Sequence, residues 1–313
     1  MKKNMIILIW VIVFTIVFPY AVTIIFMSVG NKQISADILY EPLYEPEKSG
    51  QWVVVQTGNK KEKMDVEKFI PCVLMSIMDI EDNEEALKAQ AVIIRSIIKY
   101  NMQGLSTIDA EKVDLSYISY AGMEKMWKDK FSDNYNYLMK IVNNTSCQVI
   151  KYEGQVILPY YHNMSAGMTR IGNQPYLISA SSEGDLESED FLKIVYFTNE
   201  EFTEKVEKSF SDTEITDNNP LESIQIIERD EAGYVCKLQI GGMELTGEEF
   251  AQAFNLKSTY FQIEPFNGNI RIITKGEGHG YGMSLYGAGV YGNAGWSYIQ
   301  ILQHYFSENI IIE

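Results

Sequence analysis

A run of alternating glycines near the carboxyl end constrains this chain more than any other feature. Residues 276–288 read GEGHGYGMSLYGA, with glycine at every second position from Gly276 to Gly282 around His279. Glycine costs conformational entropy and has no side chain to pack, so the run is unsuited to a helix or to an ordinary central strand. It lets backbone approach backbone or a ligand, and its spacing matches neither a dinucleotide fingerprint nor a P-loop. A structural turn and a ligand-binding loop both remain open.

A second stretch, EEALKAQAVIIR from Glu84 to Arg95, predicts the start of a helix. Asp82 and Asn83 precede it as good N-cap residues, and alanine, leucine, lysine and glutamine are strong helix formers. At about 100° per residue, two opposite stripes carry mostly small or apolar residues, so the helix is predicted to be buried on both sides. Glu85 is then a carboxylate at the head of a buried helix. A solvated first-turn acid is the alternative, since the helix dipole favours acids there.

A β-hairpin is predicted between residues 147 and 161, because two strand-like runs flank Glu153-Gly154, which is a strong turn signal. Its second strand leads directly into His162-Asn163-Met164-Ser165-Ala166-Gly167. A polar segment of small residues at the end of a strand is a common place for ligand contacts. A turn that closes the hairpin is the alternative.

The rest of the chain mixes helical and strand patterns without internal repeats, which predicts an α+β fold. A strand at Trp52–Gln56 is followed by a turn at Gly58-Asn59 and then by a helix capped by Asp65. One or two helices are predicted between Glu124 and Asn143, with a break near Ser132-Asp133. A final helix is predicted from Ser297 to Tyr305.

In the second half of the chain, one region is predicted to be a loop and another to be a sub-domain. The acidic stretch Asp185–Asp190 is expected to be a solvated loop. Residues 220–273 alternate strands and turns around one helix and are a candidate α+β sub-domain. That helix opens with Thr246-Gly247-Glu248-Glu249, which is a capping box.

The amino terminus predicts a membrane anchor. Lys2 and Lys3 precede a charge-free apolar run from Met5 to about Met27, which as a helix spans about 30 Å. No small-residue cleavage site follows closely, so an uncleaved signal anchor is expected. By the positive-inside rule the two lysines stay in the cytoplasm and the rest lies outside the membrane. The predicted organisation is a cytoplasmic stub and transmembrane segment at 1–28, a linker at 29–48 and an extracytoplasmic domain at 49–313.

Charge and cysteine content exclude several classes of function. The formal net charge is −16, and binding to nucleic acid needs a basic face, so no nucleic-acid partner is expected. The three cysteines, Cys72, Cys147 and Cys236, cannot all pair within one exported chain. Buried thiols are favoured over a zinc site, because there are only three histidines and no Cys-x-x-Cys spacing. We expect neither a metal nor a cofactor.

Three motifs together resemble one family. EALKAQAV, the segment YHNMSAGMT from Tyr161 to Thr169, and GHGYGMSLYGA resemble the stage II sporulation protein D family. Its domain is shared with the amidase-enhancer protein of cell-wall hydrolase operons. The motifs occur in the family's order, and the resemblance covers about residues 50–310. It implies an extracytoplasmic SpoIID-like domain of mixed helices and β-hairpins behind the membrane anchor.

The resemblance also implies an activity and a set of site residues. Members of the family act as lytic transglycosylases on peptidoglycan during engulfment of the forespore. The family's catalytic glutamate corresponds to Glu85, which would protonate the glycosidic oxygen and then accept the proton of the sugar's C6 hydroxyl. The residues expected to line the groove with Glu85 are Arg95, His162, Ser165, Thr169, His279, Ser284 and Tyr286. His279 would orient a sugar or the glutamate, or alternatively hold the glycine loop in place.

The sequence departs from the family pattern at two positions. Ser76-Ile77-Met78-Asp79 stands where the family often has Ser-Glu-Met-Pro, and Leu285 stands where it usually has glutamine. Some members carry a Cys/His zinc site after the catalytic helix, but the corresponding residues 113–120 contain neither residue type. By resemblance, the partners would be peptidoglycan strands, an amidase (stage II sporulation protein P) and a membrane scaffold (stage II sporulation protein M). Two alternatives remain: a non-catalytic wall-binding protein that enhances an amidase, and a membrane-anchored structural protein.

Overall fold

The computed structural model describes residues 48–57, 60–210, 213 and 219–313. The predicted anchor at 1–28, nearly all of the linker at 29–48 and the turn predicted at Gly58-Asn59 lie outside these residues. Over the ranges that are described, no helix combines the length and the apolar character needed to cross a bilayer.

Helices and strands are interspersed, which confirms the α+β class. The helices, in chain order, are α1 Val66–Ile77, α2 Glu84–Met102, α3 Tyr120–Trp127, α4 Phe131–Asn144, α5 Asn199–Ser209, α6 Gly247–Phe254, α7 Leu285–Asn293 and α8 Tyr298–Phe306. The strands are β1 Trp52–Thr57, β2 Lys60–Asp65, β3 Thr107–Asp109, β4 Ile150–Tyr152, β5 Gln155–Val156, β6 Tyr161–His162, β7 Leu192–Phe197, β8 Ile224–Arg229, β9 Val235–Ile240, β10 Met243–Thr246, β11 Phe261–Phe266, β12 Asn269–Lys275, β13 Met283–Ser284 and β14 Ile311–Ile312.

Helix α2 is the central helix of its part of the fold. The Oδ1 atom of Asn83 accepts hydrogen bonds from the N–H groups of Glu85 and Ala86, which confirms the predicted N-cap. The helix packs against α1, α7 and α8. Its middle is buried on all sides, as the two apolar stripes predicted, and the exposed end follows at Lys99 and Tyr100. Burial of this kind, more than propensity, stabilises a helix in a folded protein.

The strands form small sheets, most of them antiparallel. The predicted hairpin is confirmed between β4 and β5, and Glu153 and Gly154 both adopt positive φ angles, as a tight two-residue turn requires. Strand β6 pairs in parallel with β13, so Tyr161 lies opposite Met283 and His162 opposite Ser284. This short pairing joins the end of the hairpin region to the glycine run.

A separate hydrophobic cluster forms around the region predicted as a sub-domain. Sheets β10-β9-β8 and β11-β12-β7 contribute to it together with α5 and α6. Phe202, Phe250 and Phe254 lie at its centre, and Phe250 stacks on Phe254 with ring centroids 4.4 Å apart. The capping box between Thr246 and Glu249 is present, as predicted.

The described residues fall into two compact units. Ser119–Asn136 belongs to one of them, in which the Tyr120 and Tyr135 hydroxyls lie 2.6 Å apart and the Phe131 and Tyr135 rings stack. The prediction of a helix break near Ser132-Asp133 was wrong by a few residues: the break is a 3-10 turn at Lys128–Lys130. Tyr137–Glu313 and the residues up to Ile118 form the other unit, which contains every predicted site residue.

Candidate functional site

Glu85 lies in the first turn of α2 and is held at both carboxylate oxygens. Its Oε1 accepts a hydrogen bond from Nζ of Lys88 at 2.7 Å, and its Oε2 accepts one from the main-chain N–H of Tyr298 at 2.7 Å. Tyr298 is the first residue of α8, where main-chain N–H groups have no partner within the helix. The Glu85 side chain is 28% exposed, so the carboxylate is largely covered yet reachable from solvent.

Lys88 is shared between two neighbouring carboxylates. Its Nζ also lies 2.8 Å from Oε1 of Glu84, and the Lys88 side chain is only 12% exposed. Burial lowers the pKa of Lys88, but the hydrogen bonds that Lys88 donates to Glu84 and Glu85 outweigh it and leave that pKa raised. The hydrogen bond from Lys88 lowers the pKa of Glu84. Glu84 is therefore part of an ion-pair cluster, which Lys140 extends at 3.8 Å.

Further polar contacts fix the surroundings of Glu85. The Tyr298 hydroxyl donates to Oε1 of Gln148 at 2.9 Å, and Nδ2 of Asn83 donates to Oδ1 of Asn293 at 2.9 Å. Asn293 is the last residue of α7. The start of α2 is thus tied to the end of α7 and to the start of α8.

Arg95 lies three turns further along α2, in a buried ion pair. Its Nε and Nη2 atoms donate to the two carboxylate oxygens of Glu67, both at 2.8 Å, and its Nη1 donates to the main-chain oxygen of Gln148 at 3.0 Å. The side chains of Arg95 and Glu67 are 4% and 1% exposed. These contacts join α2 to α1, and a direct role of Arg95 in substrate binding stays a prediction.

A buried carboxylate, Asp185, brings two of the predicted motifs together. Its Oδ2 accepts from the N–H of Ser165 at 2.8 Å and from the Ser165 hydroxyl at 2.6 Å, and its Oδ1 accepts from the Ser284 hydroxyl at 2.9 Å. All three side chains are fully buried. The expectation that the acidic stretch from Asp185 is solvated was wrong for this residue, because the aspartate satisfies donors from both motifs. Burial raises the pKa of Asp185, while the serine hydrogen bonds lower it and only partly offset the burial.

Ser284, which donates to Asp185, is also the N-cap residue of α7. The Ser284 hydroxyl accepts from the N–H of Gly287, and the Ser182 hydroxyl lies 2.7 Å from the Tyr305 hydroxyl beside it. Thr169 is also buried, donating to the main-chain oxygen of Ile178 and accepting from the N–H of Ala180. Ser165, Thr169 and Ser284 therefore serve the fold through the contacts they make, and their role toward substrate stays a prediction.

The two histidines of the motifs lie against each other. Their ring centroids are 5.7 Å apart, and Nδ1 of His162 lies 3.0 Å from the main-chain oxygen of Tyr281, to which it donates. Burial, together with the neighbouring His279, lowers the pKa of His162 to about 3, so the ring is neutral. His279 is exposed, and Tyr160 meets it edge-on at 5.8 Å. Nδ1 of His279 accepts from the N–H of Tyr281, a contact that pins the glycine loop.

The predicted site residues therefore form two groups joined by α7. Ser284 caps the first turn of α7 next to Asp185, whereas Asn293 at the other end contacts the N-cap of the Glu85 helix. A helix of nine residues rises about 13 Å, so the two ends of α7 lie roughly that far apart. Tyr286 lies with the first group, 37% exposed, and its N–H donates to the main-chain oxygen of Asn163. Convergence of the histidines on Glu85 stays a prediction.

Sequence reasoning missed Asp185 and Tyr298. Asp185 stands in an acidic, glycine-containing stretch that reads as a loop, and Tyr298 contributes a main-chain atom, which no side-chain pattern reveals. Lys88 could have been found, since it follows Glu84 by four residues and Glu85 by three, the spacings at which helical side chains meet. In the part of the chain that is described, no group of three or more histidine, cysteine or acidic side chains could hold a metal ion.

Comparisons with known proteins agree with the motifs. Residues 56–152, which include Glu85, match the SpoIID family model, described as stage II sporulation protein. The chain is 29% identical over 268 residues to stage II sporulation protein D of Bacillus amyloliquefaciens, covering 81% of this chain and 76% of that protein. It is 27% identical over 279 residues to stage II sporulation protein D of Bacillus subtilis, covering 83% and 78%. An uncharacterized protein of Brachyspira hyodysenteriae is 24% identical over 258 residues, covering 80% and 67%.

Proposed function

The chain belongs to the stage II sporulation protein D family, and from this premise we propose that it is a peptidoglycan lytic transglycosylase with Glu85 as its acid and base. Its role in sporulation follows from the family. The substrate would be the glycan strand, cut at the bond between N-acetylmuramic acid and N-acetylglucosamine to leave 1,6-anhydro ends. Forespore engulfment is the stage at which such cleavage would act.

The observation that supports this proposal is the placement of Glu85. The fixed N–H of Tyr298 holds one oxygen, so the second oxygen points in a defined direction from a partly exposed position. A general acid must be positioned in this way to reach the atom it protonates. Asn83, which caps the Glu85 helix, also contacts Asn293, and the Tyr298 hydroxyl contacts Gln148, so both helix starts beside Glu85 are tied to neighbours.

The chemistry needs one carboxyl group. Protonated Glu85 gives its proton to the glycosidic oxygen as the bond from C1 of N-acetylmuramic acid to that oxygen breaks. The C6 hydroxyl oxygen of the same sugar then bonds to C1, and its proton passes to the Glu85 carboxylate, which restores the acid. No water is consumed, in contrast to glycoside hydrolysis with its second carboxylate.

We extend the proposal to location and partners on the basis of the sequence and the family. The apolar run from Met5 to Met27 would anchor the chain in the cell membrane, with the amino terminus cytoplasmic and the domain outside. A partner amidase, stage II sporulation protein P, and a scaffold, stage II sporulation protein M, would act with it.

One observation favours the alternative, a non-catalytic wall-binding enhancer of an amidase. Both oxygens of Glu85 are occupied by protein donors, and the contact with Tyr298 caps α8. A glutamate that only joins α2 to α8 would show the same contacts. The two functions differ in what the protein releases from the wall.

Purified full-length protein incubated with isolated sacculi separates the two functions. We expect soluble fragments with 1,6-anhydro-muramic acid ends, identified by mass spectrometry. Glu85→Gln keeps the shape and the acceptor for Tyr298, but it cannot carry the proton, so release should fall about 10²–10⁴-fold while binding to sacculi persists. Glu81→Gln, in the exposed loop before α2, is the matched control and should leave release unchanged. If the wild-type protein binds sacculi but releases no fragments, the enhancer function is favoured.

A further inference from the structure

Each oxygen of the Glu85 carboxylate accepts one hydrogen bond from the protein in this structure. Oε1 accepts from Nζ of Lys88 and Oε2 from the main-chain N–H of Tyr298, each at 2.7 Å. A general acid must come within about 2.6–3.2 Å of the atom that it protonates. Both donors favour the charged carboxylate over the protonated acid, so we expect one of these two contacts to open when a glycan strand binds and Glu85 holds its proton.

The two contacts differ in how readily they can open. The Tyr298 N–H belongs to the backbone of α8, and its helix start is further fixed by the capping box of Ser297 and Gln300. Lys88, in contrast, has a flexible four-carbon side chain with three donors. A second acceptor, Oε1 of Glu84, already lies 2.8 Å from the same nitrogen. Lys88 can leave Glu85 without losing its ion pair, so its departure costs less than that of the backbone donor.

We propose that Lys88 is a positioning residue that holds Oε1 of Glu85 in the free protein and moves to Glu84 alone when a glycan strand binds. This inference rests on the proposed function. The step moves one ammonium group between two carboxylates, and no bond is made or broken in it. Its effect is to take the ammonium group out of hydrogen-bond contact with Oε1 at the moment when the acid must hold a proton.

The charged and titratable groups around Glu85 come from three helices. On α2 they are Glu84 and Lys88, and on α4 they are Lys140 and Tyr137, whose pKa is raised by burial and then by Glu84. On α8 the group is Tyr298, whose hydroxyl is engaged by Gln148. Lys140 reaches Glu84 only at 3.8 Å and its side chain is 49% exposed, so it makes no contact that would replace Lys88.

The proposal predicts opposite pH effects for two substitutions. In Lys88→Met the free protein lacks the cation beside Oε1, so the alkaline limb of kcat/KM, which reports the free protein, should move to higher pH. In Glu84→Gln the second acceptor of Lys88 becomes a neutral amide oxygen, so the lysine keeps its only charged partner, Glu85. The alkaline limb of kcat, which reports the complex, should then move to lower pH and kcat should fall.

The measurement uses full-length protein and soluble peptide-free oligomers of N-acetylglucosamine and N-acetylmuramic acid. Lys140→Met is the matched control, since it removes a nearby cation but leaves both Lys88 contacts, and neither limb should move. A lysine that merely stabilises the first turn of α2 would lower the rate without moving either limb. The proposal would be overturned if the alkaline limb of kcat/KM did not change in Lys88→Met. It would also be overturned if the alkaline limbs of Lys88→Met and Glu84→Gln moved in the same direction.

A second readout does not depend on catalysis. In a crystal structure with a thio-linked, uncleavable glycan oligomer, Nζ of Lys88 should keep Glu84 and lie beyond hydrogen-bond distance of Oε1 of Glu85, more than about 3.5 Å away. An intact contact of Lys88 with Glu85 beside the bound sugar overturns the inference even if the protein cleaves. Movement of Lys88 in a protein that releases no anhydro ends would support the inference while the transglycosylase function fails.

Discussion

The main-chain N–H of Tyr298 donates to Oε2 of Glu85 at 2.7 Å, although 213 residues separate the two in sequence. The Glu85 carboxylate therefore lies at the amino-terminal ends of two helices. Glu85 is in the first turn of α2, and it accepts a hydrogen bond from the first residue of α8. A negative charge at a helix amino terminus is favoured by the helix dipole and by the unpaired N–H groups there. The orientation of the proposed acid therefore depends on the connection between α7 and α8.

Removal of this one N–H should reduce cleavage without unfolding α8. Proline is tolerated at the first position of a helix, and Ser297 before it has ψ 157°, which suits a residue that precedes proline. Hydrogen bonds to charged groups contribute about 1.5–3 kcal/mol, so Tyr298→Pro should release anhydro ends about 10- to 100-fold more slowly.

Tyr298→Ala is the matched control for Tyr298→Pro. Both variants lose the ring and its contact with Gln148, and only the proline variant loses the N–H. The comparison is made by mass spectrometry of fragments released from sacculi, with circular dichroism to check the helix content. Equal rates in the two variants would show that the Tyr298 N–H does not orient Glu85.

A second prediction concerns the buried pair of Arg95 and Glu67. Arg95→Met leaves Glu67, whose side chain is 1% exposed, without its cation, and breaking a buried pair in this way costs about 3–5 kcal/mol of unfolding free energy. The double variant with Glu67→Met should regain most of this loss, because well-packed apolar residues often replace a buried pair at little cost. Urea unfolding measures both.

The double variant also tests the predicted role of Arg95 in substrate binding. If Arg95 acts only through the fold, the stable double variant should bind sacculi as the wild-type protein does. Binding lost in a well-folded double variant would instead support a direct contact between Arg95 and the glycan.

Local chemistry explains what the sequence could predict. The Asn83 cap, the Glu153-Gly154 turn and the Thr246–Glu249 capping box each depend on residues within a few positions of one another. Their geometry follows from side-chain type and φ preferences. For the same reason, the position of Glu85 at the head of a buried helix could be predicted.

Contacts between distant segments explain what the sequence could not predict. Asp185 is buried because Ser165 and Ser284, 20 and 99 residues away, both donate to it. An acidic residue in a polar stretch carries no local signal of such partners, and the unpaired carboxylate would be expected in water. Likewise, helix α7 lies between Ser284 and Asn293, which contacts the N-cap of the Glu85 helix. The order of the three motifs along the chain does not predict this arrangement.

The glycines of α7 provide a third prediction, because two of them differ in surroundings. A Cβ at Gly287 would lie 2.2 Å from the Ser182 hydroxyl and 2.3 Å from the Tyr305 hydroxyl, both in fully buried residues. Gly287→Ala should therefore destabilise the protein by about 1–3 kcal/mol, as overpacking does. A Cβ at Gly289 meets nothing within 4 Å among the described residues, so Gly289→Ala should stabilise by about 0.5–1 kcal/mol. Equal effects in urea unfolding would contradict the packing around Asp185.

The final prediction is a pH dependence of stability that originates at Asp185. Burial raises the pKa of this group in the folded protein above its ordinary value of 3.8, despite the opposing serine hydrogen bonds. Between pH 3.8 and the raised pKa, Asp185 binds more protons in the folded protein than in the unfolded chain. Its contribution to the free energy of unfolding therefore falls as pH rises through this range. It is fully present below pH 3.8 and levels off once the pH exceeds the raised folded value.

Asp185→Asn isolates this contribution, because the amide keeps the shape and cannot titrate. Its oxygen can accept from the Ser165 N–H, and its nitrogen can donate to the Ser284 hydroxyl. The free energy of unfolding of the wild-type protein minus that of the variant, from urea curves at a series of pH values, should decrease from about pH 3 upward and then become constant. Other acids titrate in both proteins and cancel in the difference. A difference that increases with pH would mean that the donors around Asp185 stabilise its charge by more than burial opposes it.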